Sequence, residues 1–186
     1  MKVLGISGSL RRDSYNTKLL RAAEELLPAW VELELWEELK AIPPYDQDDD
    51  VEAAPPSVAA LRAAIANADA VLFATPEYNS SIPGVLKNAI DWVSRPVATN
   101  ALRNKPVVVV GASTGAFGAV WSQAELRKVL AATGARVVDA EVAVGHAPSK
   151  FDADGRLADD STREQLAETV DALLAELPAM PLALTG

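Results

Sequence analysis

Two short runs constrain this chain more than anything else in it. Residues 68–74 are apolar but for Asp69, and residues 107–111 read Val-Val-Val-Val-Gly. A strand with apolar side chains on both faces needs cover on both faces, and a parallel sheet flanked by helices provides it. The remaining sequence supplies the alternation such a sheet requires. Strand-like runs at 3–7, 31–36 and 135–144 join the two already given, with helical periodicity at 16–27, 57–66, 83–94, 119–132 and 161–177. Pro28 closes the first helix, Pro83 reads as an early helical residue and Gly134 as a C-cap. Ser161 with Glu164 reads as a capping box for the last helix. Residues 31–36 alternate apolar with acidic, the pattern of a half-exposed edge strand. Five strands alternating with five helices predict an α/β three-layer sandwich. The 186 residues form one domain, with 179–186 expected as a flexible tail.

Composition removes several classes of function. With 49% hydrophobic residues a sizeable core is available, and a formal charge of −9 argues against nucleic acid as the main partner. A small phosphorylated ligand needs only a local basic patch and stays open. The chain has no cysteine, so disulfides, thiolate metal sites and cysteine nucleophiles drop out together. No apolar run has the length of a membrane span or a signal peptide, and a cytoplasmic protein is expected. The acidic loop around Asp46, Asp48, Asp49 and Asp50 lacks the glycine and spacing of an EF-hand, and no metal site is expected.

Chemistry gathers in three loops, after the first, third and fourth strands. In an open sheet of the flavodoxin-like order 2-1-3-4-5 those strands are neighbours, and ligands bind beyond their carboxyl ends. The first loop holds Ser9, Arg11, Ser14, Asn16 and Thr17 where a strand hands over to a helix. It lacks the Gly-Lys-Ser/Thr of a P-loop and the glycine spacing of a dinucleotide fingerprint. Hydroxyls, an amide and a guanidinium at a helix N-terminus suit a single phosphate, or else plain capping by Ser14 or Asn16. The second loop, Pro76-Glu77-Tyr78-Asn79, offers peptide groups in the plane of a flat heterocycle with Tyr78 over an edge or face; it also reads as a helix-entry turn. The third loop carries Ser113, Gly115 and Gly118, the glycines allowing close approach to a ring or only a tight turn.

These motifs together resemble a known family. Gly8-Ser9-Leu10-Arg11 with Ser14 and Asn16, then Pro76-Glu77-Tyr78-Asn79 followed by residues 81–92, are similar to the NADPH-dependent FMN reductases. That family includes flavodoxin-like quinone, chromate and azo-dye reductases, and residues 151–157 resemble its late loop. The resemblance implies that Ser9, Arg11, Ser14, Asn16 and Thr17 hold the FMN phosphate. Pro76, Glu77, Tyr78 and Asn79 would border the isoalloxazine, with Ser113, Gly115 and Gly118 on its other flank. Ser80 departs from the second aromatic common after the Asn, which bears on the acceptor-side wall.

The resemblance further implies a cycle in which NADPH or NADH reduces FMN, leaves, and is replaced by a small-molecule electron acceptor such as a quinone, an azo dye or a metal oxyanion. A flavin can carry that chemistry without a catalytic side chain, in keeping with a chain whose one histidine, His146, reads as structural or surface. The alternatives are an electron carrier without a nicotinamide site, a flavin-free binding module, and a source of reduced FMN for a partner oxygenase. Trp92 and Trp121 fit a core or an interface, and the resemblance implies a homodimer or homotetramer whose neighbouring subunit completes the flavin site.

Overall fold

A computed structural model describes residues 1–51 and 54–177. Five strands, β1 (Lys2–Ser7), β2 (Glu32–Trp36), β3 (Ala70–Thr75), β4 (Pro106–Ala112) and β5 (Arg136–Val144), form one sheet in the order β2-β1-β3-β4-β5. Every pairing is parallel. The connecting helices are α1 (Tyr15–Glu24), α2 (Pro56–Asn67), α3 (Gly84–Val93), α4 (Val120–Ala132) and α5 (Asp160–Ala175). The expected flavodoxin-like topology is therefore the one observed.

The alternation of side chains along each strand divides the core in two. Val3, Leu72, Val108 and Val110 point to one face, where Leu19, Leu20, Leu166 and Val170 of α1 and α5 cover them. Leu4, Ile6, Val71, Phe73 and Val109 point to the other, under Leu61 of α2, Ile90 and Trp92 of α3 and Leu126 of α4. Every residue of β3 and β4 is buried, so the two runs that dictated the fold lie at its centre. Trp92 belongs wholly to this core, its Nε1 donating to Pro43 O at 2.8 Å, whereas Trp121 is 48% exposed.

Several local expectations are corrected. Pro83 is not helical: its ψ of 136° is extended, and it precedes α3 as the cap. The cap of α5 is Asp159, not Ser161, which lies inside the helix. Asp159 wins because its carboxylate accepts from both Thr162 N (3.0 Å) and Thr162 Oγ1 (2.6 Å) while Lys150 Nζ reaches it at 2.8 Å. The helix expected at 16–27 runs from Tyr15 to Glu24, with Glu25 as its C-cap. Ala119 lies outside α4 in the left-handed region, φ 63°. The tail expected at 179–186 falls outside the described residues.

Candidate functional site

The order of strands brings the three polar loops to one end of the sheet. The first begins where β1 ends. Ser7 organises it: its hydroxyl accepts from Thr17 Oγ1 at 3.1 Å and from Ser9 N at 3.3 Å. Ser14 then caps α1, its Oγ accepting from Thr17 N at 3.3 Å. A hydroxyl that accepts in this way still has its own proton to donate. The first two amides of the helix, Tyr15 N and Asn16 N, have no acceptor among the described residues. Asp13 is the one carboxylate in this loop, and Lys18 bonds to it at 2.5 Å and lowers its pKa. No carboxylate lies within 4 Å of the exposed Arg11 among the described residues.

Asn16 has a different task from the one its position suggests. Its amide is 3% exposed, donating through Nδ2 to Ala112 O at 3.0 Å and accepting at Oδ1 from Ala112 N at 2.9 Å. Ser113 N bonds across to Val144 O in β5, so the peptide groups of Ala112 face toward β3. There β3 has already ended at Thr75, and Pro76 has no N–H to offer. The Asn16 amide stands in for the missing strand. Its side chain is committed to tying the first loop to the end of β4, with one Nδ2 hydrogen left.

The second loop is a hairpin-like turn. Tyr78 N and Ser81 O, and Ser81 N and Tyr78 O, bond reciprocally at 3.1 Å, with Asn79 and Ser80 both at positive φ (53° and 58°). The Tyr78 peptide groups are thus engaged within the turn, which leaves Glu77 and Asn79 as the backbone candidates for a ring. The Glu77 carboxylate turns to α4, accepting from Trp121 N and Ser122 N at 3.1 Å each. Ser122 Oγ donates to Pro76 O at 2.9 Å and Ser81 Oγ donates to Glu125 Oε2 at 2.5 Å. A carboxylate at a helix N-terminus meets unsatisfied amides and the positive end of the dipole. Loop and helix therefore make one wall, with Tyr78 51% exposed on it.

In the third loop the two glycines differ. A Cβ on Gly115 would meet only Ser113 Oγ, at 3.5 Å, so the backbone there is open to close approach. A Cβ on Gly118 would come within 2.3 Å of the Ala143 carbonyl carbon, so this glycine is required by β5 passing behind it. Ser113 Oγ accepts from Gly115 N at 3.1 Å, and His146 N donates to Gly115 O at 2.8 Å. His146 itself is exposed.

A cleft of about 100 Å³ lies where the loops meet, bordered by Ser9, Arg11, Ser14, Asn16, Glu77, Tyr78 and Ser113 among others. Asn79, Gly115 and Gly118 lie beyond its lining, as does Thr17, which is spent on Ser7 and faces a second cavity on the β2 side. Arg12 and Lys40 border that second cavity, which shares Ser9 and Arg11 as a wall with the cleft. Neither residue stands out in the sequence, since their approach depends on the packing of β1 beside β2. Phe117 and Trp121 likewise give no signal of pairing in the sequence; their rings stack edge to face at 5.0 Å, and Phe117 is 64% exposed.

The end of the cleft at the start of α1 carries two hydroxyls with protons to donate and, among the described residues, a guanidinium without a carboxylate partner and two helix amides without an acceptor. That set fits a phosphate monoester, and the open backbone at Gly115 fits a flat ring beside it. Among the described residues, no group of three or more His, Asp or Glu is placed to hold a metal ion, and no helix is long and apolar enough to cross a membrane.

Residues 1–149 match the family described as NADPH-dependent FMN reductase. An NAD(P)H-dependent FMN reductase of Pseudomonas aeruginosa is 45% identical, the match covering 93% of each chain. An NAD(P)H:quinone oxidoreductase of Solanum tuberosum is 40% identical, over 100% of this chain and 95% of its own. Among solved structures, the flavoenzyme NAD(P)H:(acceptor) oxidoreductase FerB of Paracoccus denitrificans is 37% identical and superposes with a TM-score of 0.82, over 94% of this chain and 95% of that one.

Proposed function

We infer the working of this protein from its family: the chain belongs to the NADPH-dependent FMN reductases. It is an NAD(P)H-dependent oxidoreductase with FMN as its cofactor, and it passes electrons to a small-molecule acceptor. The observation that carries the site assignment is the cleft between the three loops, with its donor-rich phosphate end. Ser9, Ser14 and Arg11, with the amides of Tyr15 and Asn16, hold the FMN phosphate. The peptide groups of Glu77 and Asn79 border the ring on one side; Ser113 and Gly115 border it on the other.

FMN, when bound, supplies the hydride chemistry, accepting from the nicotinamide donor and delivering to the acceptor. The chain's own residues do the rest. The helix end and Arg11 fix one end of the cofactor by charge-assisted hydrogen bonds, each of roughly 1.5–3 kcal/mol. The Glu77 and Ser81 bonds to α4 keep the ring's border in place before any ligand arrives. The quinone reductases among the relatives support a quinone-type acceptor, and donor and acceptor use the open side of the site in turn.

The protein works as a cytoplasmic homodimer or homotetramer. The exposed Phe117–Trp121 pair beside Glu77 supports this, since a second copy would cover it. A monomeric mass by light scattering at micromolar concentration would overturn that part. The function is tested by the visible spectrum of the purified protein before and after NADPH, followed by quinone-dependent NADPH oxidation. A flavin spectrum that bleaches under NADPH and sustained turnover with quinone are expected. No flavin absorbance even after incubation with FMN would overturn the reading.

A further inference from the structure

The second cavity, on the β2 side of the first loop, has a volume of about 310 Å³, within the range of small-molecule pockets. Its rim is cationic and its walls are apolar: Arg11, Arg12 and Lys40 stand around Leu10 and Trp36. In a chain of net charge −9, that concentration is unusual. Among the described residues, nine of the 17 lysines and arginines pair with carboxylates within 4 Å, but Arg11, Arg12 and Lys40 do not. The one acidic residue on the rim, Glu37, faces Arg21 at 3.9 Å. Trp36 Nε1 is out of solvent and has no acceptor among the described residues. Ser9 and Arg11 border both this cavity and the cleft, so a ligand spanning the two crosses only that partition.

We propose that this cavity receives the adenosine 2′-phosphate end of NADPH, with Arg12 and Lys40 reading the 2′-phosphate and the Trp36–Leu10 wall taking the adenine. The inference rests on the assigned function, in which a nicotinamide donor enters the site. An extended dinucleotide with its nicotinamide over the cleft has its adenosine directed along the sheet end. Adjacent strands lie about 4.8 Å apart, so the cavity between β1 and β2 lies about two strand spacings from the β3–β4 loops. Arg12 and Lys40 thereby set the preference for NADPH over NADH, while Arg11 remains with the cofactor phosphate.

The test is the double variant Arg12→Gln/Lys40→Gln, with Lys40→Gln alone as a second variant. Both positions are exposed, and neither belongs to the flavin cleft. Calorimetric titration with adenosine 2′,5′-bisphosphate and with adenosine 5′-monophosphate gives a readout independent of turnover. The wild type is expected to prefer the bisphosphate, and the double variant to lose about tenfold in affinity for it, the scale of one charge-assisted hydrogen bond. The KM for NADPH rises by a similar factor, with kcat, the KM for NADH and FMN affinity unchanged. Equal losses for NADPH and NADH, or no change in bisphosphate affinity, would overturn the proposal. So would a fall in FMN affinity, since it would place the cofactor's own phosphate in this cavity. A wild type that binds no flavin and oxidises neither nucleotide refutes the function itself, a distinguishable result.

Discussion

Removing the Asn16 amide gives the most direct test of how the site is held together. In Asn16→Ala the N–H and C=O of Ala112 lose both partners at a place 3% exposed, where water has no ready access. A buried polar group left unpaired costs about 1–3 kcal/mol, so the pair predicts a loss of roughly 2–5 kcal/mol. Against a total stability of about 5–15 kcal/mol this is a large fraction. At this chain length each kcal/mol moves the midpoint by about 2–4 °C, giving a fall of roughly 5–15 °C. Urea unfolding of the flavin-free protein, followed by tryptophan fluorescence, to which the buried Trp92 contributes, measures it. Asn16→Asp keeps an acceptor for Ala112 N but offers nothing to Ala112 O, and belongs between the wild type and Asn16→Ala. A loss below about 0.5 kcal/mol in Asn16→Ala, the level of an ordinary surface substitution, would refute the argument. Unchanged stability with a tenfold loss of FMN affinity would assign the amide to the ligand instead.

Three further outcomes follow from the same geometry. Arg11→Ala is expected to weaken FMN binding about 10- to 100-fold by flavin-fluorescence titration, as one charge-assisted contact is lost; unchanged affinity would sink its place in the phosphate grip. Glu77→Ala takes the acceptor from two amides at the start of α4 and should cost about 0.5–2 kcal/mol in urea unfolding, with Glu77→Gln losing less because it keeps an oxygen there. The Asp159 carboxyl is held at about 2 by its hydrogen bonds to Lys150 and Thr162, below the usual 3.8. A depressed folded pKa means stability that is present above pH 4 and disappears as pH falls toward 2. Asp159→Asn should therefore be the less stable protein at pH 6, with the gap closing between pH 4 and pH 2; a gap that stays constant would contradict the assignment.

Much of this was legible in the residues themselves. The runs at β3 and β4 have no polar face to offer water, so they had to be central, and the acidic alternation of β2 had to be an edge. Once the order was fixed, the meeting of the first, second and third loops followed. Partner choice was much less legible. Asn16 bonds to a residue 96 positions away, which no local pattern encodes. Glu77 looked like a border to a ligand because nothing near it in sequence reveals the amides of α4. Ser161 and Asp159 are both good caps, and the choice fell to Lys150 across a loop. Arg12 and Lys40 resemble any solvated charge until the sheet brings β1 and β2 together.

The exposed edge of the sheet has a consequence for crowding. The β2 edge carries the exposed Glu32 beside Glu34, which is paired with Lys2, with no strand beyond it among the described residues. Two molecules approaching edge to edge would set one Glu32 carboxylate against the other, and like charges across a strand pair repel. At high concentration this border resists growth of one sheet into the next.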